Sequence, residues 1–263
     1  MNEAQLQQAA AILARARLDN ELIGPLPDTE GLDETRAYAI QDRLHERLSA
    51  ELGPISGHKI GCTTPVMQRY LKIHQPCAGG VFANTAQRRS GRCQAPPRGR
   101  IGVECEIAVL LGEDLPASGA PYDRARVAPA VEACIAAMEL VADRYHDYGS
   151  LGVYTLIADD FFNCGCVLGD PVRDWQALDL AAIRGRMWIN DAQVGEGSGA
   201  DVMGHPFNAL AWLANRYAEL RRPLLAGQFV LLGSVVQTQW LKAGDRVRVA
   251  IDGLGGAMLA IEG

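Results

Sequence analysis

The sequence predicts an α+β fold, and three observations carry that prediction. Helix-type patterns fill the first fifty or so residues, strand-type runs dominate the remainder, and no internal repeat divides the chain. With 263 residues, 48% of them hydrophobic and 21% charged, the chain has the composition of an ordinary globular protein with one large core. A net charge of −6 argues against nucleic acid or an anionic membrane surface as the main partner. It leaves room for a small anionic substrate only where a local cation receives it.

Taken in order, residues 3–19 are rich in Ala, Leu and Gln and free of Gly and Pro, which predicts a helix with Leu6, Ala9, Leu13 and Ala16 on one stripe. The breaker Gly24-Pro25-Leu26-Pro27-Asp28 separates it from a second helix over 33–51. Asp33 or Thr35 begins that helix, and Ala37, Ile40, Leu44 and Leu48 form its apolar face. Gly53-Pro54 ends it. Residues 56–63 read as a short strand whose flanking glycines let backbone or ligand approach closely. Thr63 or Thr64, followed by Pro65, starts a short helix over 65–71. The 74–80 segment reads as a flexible loop, and 86–100, with five arginines and two prolines, as an exposed turn region.

Beyond a strand at 101–111, a Gly/Pro/Asp/Ser loop covers 112–122 and residues 123–138 have helical character. Residues 137–142 and 164–169 read as strands. A hairpin arm with an Asn-Asp turn spans 184–195, residues 196–204 are glycine-rich, and 205–219 is an amphipathic helix with Pro206 in its first turn. Strands at 228–233, 246–251 and 257–261 close the chain. The expected organisation is an N-terminal helical region, 1–55, integrated with a β-rich catalytic core, 56–263.

The seven cysteines are odd in number and contain no CxxC pair, so neither a disulfide framework nor a structural zinc site is expected. The N-terminal MNEAQLQQAA lacks a basic stretch followed by an apolar one, and no run reaches membrane-spanning length. These features predict a cytoplasmic protein with no membrane partner.

The chemistry concentrates in Ile101–Leu111, an apolar run that holds two carboxylates two residues apart. On a strand, Glu104 and Glu106 project from the same face. Two readings stand at this point. Either both face solvent on an edge strand, or both are buried and share a cation, for which Mg²⁺, Mn²⁺ or Ca²⁺ suits all-oxygen ligation. Glu139 sits in an equally apolar setting and is a third candidate ligand, or a partner of Arg144. Lys59, desolvated in its strand or beside a metal, would have a lowered pKa suited to moving protons; His58 points to the opposite face. Asp159 and Asp160 either contact substrate or Lys59, or cap the next segment. His205 reads as a cap. Cys77 is a thiol without an identifiable base. No GxSxG or P-loop pattern is present.

Several segments, in order and spacing, resemble the 2-keto-4-pentenoate hydratase / 2-oxo-3-enedioate decarboxylase group of the fumarylacetoacetate hydrolase superfamily. They are Gly57-His58-Lys59-Ile60-Gly61, Gln75-Pro76 with Gly79, Val103–Ala108, Met138–Arg144, Ile157–Asp160, Val167-Leu168-Gly169, Gly204-His205-Pro206 and Ala211–Asn215. The resemblance implies a mixed, rolled β-sheet with outer helices, usually in a homo-oligomer. It also implies a divalent metal, Mg²⁺ or Mn²⁺, on Glu104, Glu106 and Glu139, with Lys59 in acid/base work. Asp159 is assigned with it to catalysis, and Asp160, Arg144 and Cys77 to substrate binding. The substrate class is a small 2-oxo acid or its dienol. The expected reaction is hydration of a 2-hydroxy-2,4-dienoate in aromatic-compound catabolism, with a pathway decarboxylase or aldolase as a partner. The alternatives are decarboxylation of a 2-oxo-3-enedioate, or a non-catalytic subunit that stabilises a partner. The chain departs from the pattern at Asp160, at Phe161-Phe162 and at Cys77, all near the expected pocket.

Overall fold

The computed structural model describes residues 1–263. Helix α1 (Glu3–Asp19) starts at a capping box in which Asn2 and Gln5 satisfy each other's backbone N–H. Helix α2 (Glu34–Leu52) starts at Asp33, whose side chain accepts from the Arg36 N–H. The apolar stripes of both helices are buried, and they pack with Phe82 and Ala158 in a core of their own.

Strand β1 (Ile55–Gly61) carries Lys59, and helix α3 (Pro65–Leu71) starts at the Thr64 cap. The expected loop at 74–80 is instead largely strand: β2 (Cys77–Phe82) runs antiparallel to β1 with every residue buried. Its glycines serve close packing rather than flexibility. A Cβ on Gly79 would lie 3.1 Å from the Asp160 carbonyl, and one on Gly80 would lie 2.6 Å from the His45 ring. The arginine-rich segment also holds two short strands, β3 (Ala86–Arg88) and β4 (Ser90–Gln94), although all five of its arginines are exposed.

Strand β5 (Arg100–Leu111) contains the acidic pair. A short helix α4 (Arg124–Val127) is followed by β6 (Val131–Asp143), which corrects the helical expectation for 123–138. The alanines of that run favour a helix by propensity. Both faces of β6 are covered, however, and small apolar residues satisfy a doubly buried strand without alternation. Helix α5 (Val153–Ala158), β7 (Asn163–Leu168), β8 (Arg184–Ile189) and β9 (Ala192–Ser198) come next. Asn190 and Asp191 link β8 to β9 with φ of 48° and 70°, the left-handed pair that a two-residue hairpin turn needs. Helix α6 (Pro206–Glu219) is capped by His205, whose Nδ1 accepts from the Phe207 N–H. Strand β10 (Phe229–Leu241) runs eight residues beyond the expected end at 233, and β11 (Arg246–Ile251) and β12 (Gly255–Glu262) complete the chain.

The strands form a mixed seven-stranded sheet, β2-β1-β10-β5-β6-β7-β3, and a five-stranded sheet, β4-β12-β11-β8-β9. No helix is long and apolar enough to cross a membrane. The two faces of β1 are put to different uses. Lys59 points towards β5, while His58 is buried within hydrogen-bond distance of the Tyr217 hydroxyl (2.9 Å) and Gln228 (3.2 Å). Burial holds the His58 pKa down at about 4.

That depression sets an acid sensitivity. As pH falls from about 6.5 to about 4, the unfolded chain takes up a proton that folded His58 refuses, so stability drops by on the order of 3 kcal/mol. A His58→Gln variant lacks this titration. Denaturant melts at pH 7 and pH 4 are expected to show its stability deficit narrowing at the lower pH; a constant gap would contradict the assignment.

Candidate active site

Strands β5 and β6 pair antiparallel with Glu104 directly opposite Glu139. Glu106, two residues along, faces the same way. One oxygen from each of the three carboxylates lies within 4.8 Å of the others. Glu106 and Glu139 are 0% exposed, and β5 lies inside the larger sheet between β10 and β6. Of the two readings left by spacing, the solvent-facing edge strand is therefore excluded.

Each carboxylate is held by one oxygen. Glu106 Oε2 accepts from the Gly233 N–H at 2.9 Å. Glu139 Oε1 accepts from Asn163 Nδ2 at 3.0 Å and from Lys59 Nζ at 3.0 Å. Glu104 accepts from the Thr238 hydroxyl. Three register shifts in β10, between Leu231 and Gln239, bring its backbone and Thr238 into place. Gly233 is required there: its φ is +119°, and a Cβ would strike the Thr63 hydroxyl at 2.5 Å.

The remaining oxygens Glu106 Oε1 and Glu139 Oε2 are buried without a hydrogen-bond partner. Buried acceptors are rarely left so. Burial pushes the Glu106 carboxyl well up, and repulsion from Glu139 and Glu104 adds to it. Burial also raises Glu139, against the pull of Lys59. A hard divalent cation at this point would meet an all-oxygen donor set and relieve both orphaned atoms, so the residues fit a metal.

Lys59 is 3% exposed. Burial alone would lower its pKa, as expected from its strand, but the three nearby carboxylates outweigh burial and hold it above the usual lysine value. Its Nζ also donates to the Phe161 carbonyl at 3.4 Å. Lys59 and Glu104 lie in the wall of an open cleft of about 510 Å³.

Asp159, Asp160, Arg144 and Cys77, expected to act on substrate, do not line this cleft. Asp159 accepts from Arg17, Arg144 and the Tyr145 hydroxyl. Asp160 accepts from Arg17 at 3.1 Å and from the Gly80 N–H at 2.9 Å, and lies 2.7 Å from His45. Those contacts hold Asp160 far below the usual carboxylate range despite its burial. Cys77 is buried at the start of β2 beside Cys62, and its thiol is pushed up by that neighbour and by burial. The aspartate cluster anchors a turn in which Asp160, Phe161 and Phe162 have φ of 52°, 51° and 68°. Three successive non-glycine residues in the left-handed region cost about 1–2 kcal/mol each, so the ion pairs are needed to keep the turn.

Asn163, Gly233 and Thr238 hold the carboxylates without having been expected from the sequence. Thr238 has one signal, the β-branched and aromatic residues Val235, Val236, Thr238 and Trp240, whose strand preference continues the strand past Gly233. Asn163 and Gly233 have none that spacing reveals.

Residues 73–260 match the family model described as fumarylacetoacetate (FAA) hydrolase C-terminal. The chain is 36% identical over 254 residues to 2-keto-4-pentenoate hydratase 1 of Dechloromonas aromatica, covering 95% of this chain and 94% of that one. It is 32% identical over 257 residues to the 2-hydroxyhexa-2,4-dienoate hydratase of Comamonas testosteroni, covering 96% and 94%. In fold it is similar to 4-oxalocrotonate decarboxylase from Pseudomonas putida G7 complexed with magnesium and adipate, with a TM-score of 0.92 at 24% identity over 99% and 98% of the two chains.

A Glu106→Gln change removes the carboxyl that burial and its two acidic neighbours make hardest to ionise. In metal-free protein it is expected to raise the thermal midpoint by the equivalent of about 1 kcal/mol, and to abolish the rise that added Mg²⁺ or Mn²⁺ gives wild type. Calorimetry with and without the ion measures both; an equal metal-induced rise in the variant would exclude Glu106 as a ligand.

Proposed function

The chain belongs to the fumarylacetoacetate hydrolase family, and on that footing we propose that it is a metal-dependent hydratase. It adds water to a 2-hydroxy-2,4-dienoate to give a 4-hydroxy-2-oxo acid, in aromatic-compound catabolism. The observation that carries this reading is the cluster of three carboxylates with two orphaned oxygens, set beside the only cationic side chain of the cleft.

When bound at Glu104, Glu106 and Glu139, a divalent cation supplies positive charge against the oxygen of the 2-oxo group, where negative charge develops during the reaction. The donor set suits Mg²⁺ or Mn²⁺. The protein's own part is proton movement. The 2-hydroxyl proton leaves and C5 gains one, which gives the α,β-unsaturated 2-oxo acid. Water oxygen then bonds to C4, and C3 gains a proton, for a net addition of one water. Lys59 Nζ faces this space as an ammonium; a cation on the three carboxylates would offset the charges that hold its proton, so that it could give that proton and take one back. Glu139 Oε1, 3.0 Å away, holds it in line. Asp159 and Asp160 act in this reading by fixing the turn above Lys59, with Arg144 tethering Asp159. The reading includes a homo-oligomer and a cytoplasmic site, consistent with seven free thiols. Its product is an aldol, so an aldolase is the natural consumer and candidate partner.

A decarboxylase would hold a second carboxylate at the far end of its substrate. Lys59 is the one cation among the residues lining the cleft, which favours hydration.

The expected result is loss of dienoate absorbance with Mg²⁺ or Mn²⁺ present and no CO₂ release. Lys59→Met is expected to lower kcat by about 10²–10⁴-fold. Turnover that survives exhaustive chelation, or CO₂ evolved from a 2-oxo-3-enedioate, would overturn the reading.

A further inference from the structure

The tail end of the cleft carries more information than the shared chemistry of its floor. We propose that this cleft selects dienoates with a bulky, uncharged tail at C5, an alkyl chain or an aryl ring, and that Phe162 is a specificity-determining residue for that tail. The inference rests on the hydratase reading and extends it to the part of the substrate that does not react.

Size is the first argument. A five-carbon 2-hydroxydienoate has eight non-hydrogen atoms and, even at a water's share of about 30 Å³ each, takes at most roughly 240 Å³. The cleft of about 510 Å³ is about twice that. Space that a small substrate leaves as water is space in which an apolar tail gains by displacing it.

The lining is the second. Met67 and Leu71 of α3 line the cleft, together with Tyr148, Phe162 and Trp240. No residue of α3 is buried, and Val66 and Met67 are 65% and 42% exposed on the cleft. Apolar surface of this kind is covered when a tail lies against it.

Charge is the third. Lys59 is already paired with Glu139, and the other titratable lining residues, Glu104 and Asp201, are acidic apart from the Cys62 thiol and the Tyr148 phenol. Arg100 is nearby, but it stacks on the Trp240 ring at 3.7 Å and pairs with Asp143 at 3.0 Å. A carboxylate at the tail end would therefore lose water without gaining a free cationic partner.

Fixed geometry is the fourth. Phe162 packs edge-on against Tyr145, Tyr148 and Phe161 with ring centroids at 5.8, 5.5 and 6.0 Å. The turn that carries it is tied down by Arg17, His45 and the Gly80 N–H through Asp160. A wall held in this way selects by shape rather than yielding to each tail. Phe161 faces Lys59, with its ring 5.7 Å from Nζ, and so borders the reacting end; Phe162 packs on Tyr148 instead, and for that reason is the member of the pair assigned to the tail.

The test is a series of 2-hydroxy-2,4-dienoates whose C5 substituent is hydrogen, methyl, butyl, phenyl or carboxylate, assayed by absorbance with Mg²⁺. Wild type is expected to hydrate the butyl and phenyl members with kcat/KM at or above that of the unsubstituted acid, and the carboxylate member at least about ten-fold less well. Phe162→Ala is expected to lower kcat/KM for the butyl and phenyl members by about 10- to 200-fold, through KM, while the unsubstituted acid changes less than about three-fold. Phe162→Leu should restore most of the loss. Wild-type kcat/KM that falls with each larger tail, or a preference for the carboxylate, would overturn the proposal while leaving hydration intact. An equal loss on all members in Phe162→Ala would remove Phe162 from the assignment. Failure of wild type to hydrate any member would overturn the underlying reading instead.

Discussion

Two glutamates facing each other across a buried strand pair are the constraint on which the rest of the structure turns. Glu104 and Glu139 occupy paired positions on β5 and β6, and Glu106 joins them from one step along. Like charges placed this way destabilise a sheet. The chain offsets the repulsion with one ammonium, one backbone N–H, one amide and one hydroxyl, drawn from four different positions along the chain. Those donors still leave two buried oxygens unsatisfied. A fold optimised for stability alone would place apolar residues here, so the acidic cluster marks the point where stability gives way to chemistry.

The same trade recurs in the turn above Lys59. Asp160, Phe161 and Phe162 are held in a backbone conformation that none of them favours, and the hold comes from Arg17 and His45 on the two N-terminal helices. Residues 1–55 are thus more than a cover for the sheet. Arg17 and His45 fix the turn whose carbonyl accepts from the lysine, and the apolar stripes pack on each other, on Phe82 at the end of β2 and on Ala158 just before that turn.

Much of this is legible in the sequence because local patterns and global roles agree. The helices at 3–19 and 33–51, the hairpin turn at Asn190-Asp191 and the His205 cap each come from a few neighbouring residues. The acidic residues stand out because charge inside an apolar run is anomalous wherever it occurs. The failures have a common cause. At 77–80 glycines suggest flexibility, but they serve contact with Asp160 and His45. At 131–138 alanines suggest a helix, but they serve a strand covered on both faces. The apolar strand around Lys59 gives no sign of the carboxylates from β5 and β6 that, with no cation between them, raise its pKa. Asp159, Asp160 and Arg144, expected on the substrate, are instead tied into one network with Arg17, a partner 142 residues from Asp159 in sequence. Each of these depends on contacts remote along the chain, which local spacing does not encode.

The holders of the carboxylates bear on the history of every newly made chain. Lys59 is synthesised early, the three glutamates in the middle, and Gly233 and Thr238 near the end. Strands β5 and β6 are therefore made while β10 is still missing. Contacts between such distant segments form slowly, because the loops that separate them must close first. Until β10 slides in beside β5, the acidic face has no Gly233 N–H and no Thr238 hydroxyl. The last long strand of the larger sheet is thus the keystone of the site, and a growing chain lacks two of the donors that hold its glutamates until that strand arrives.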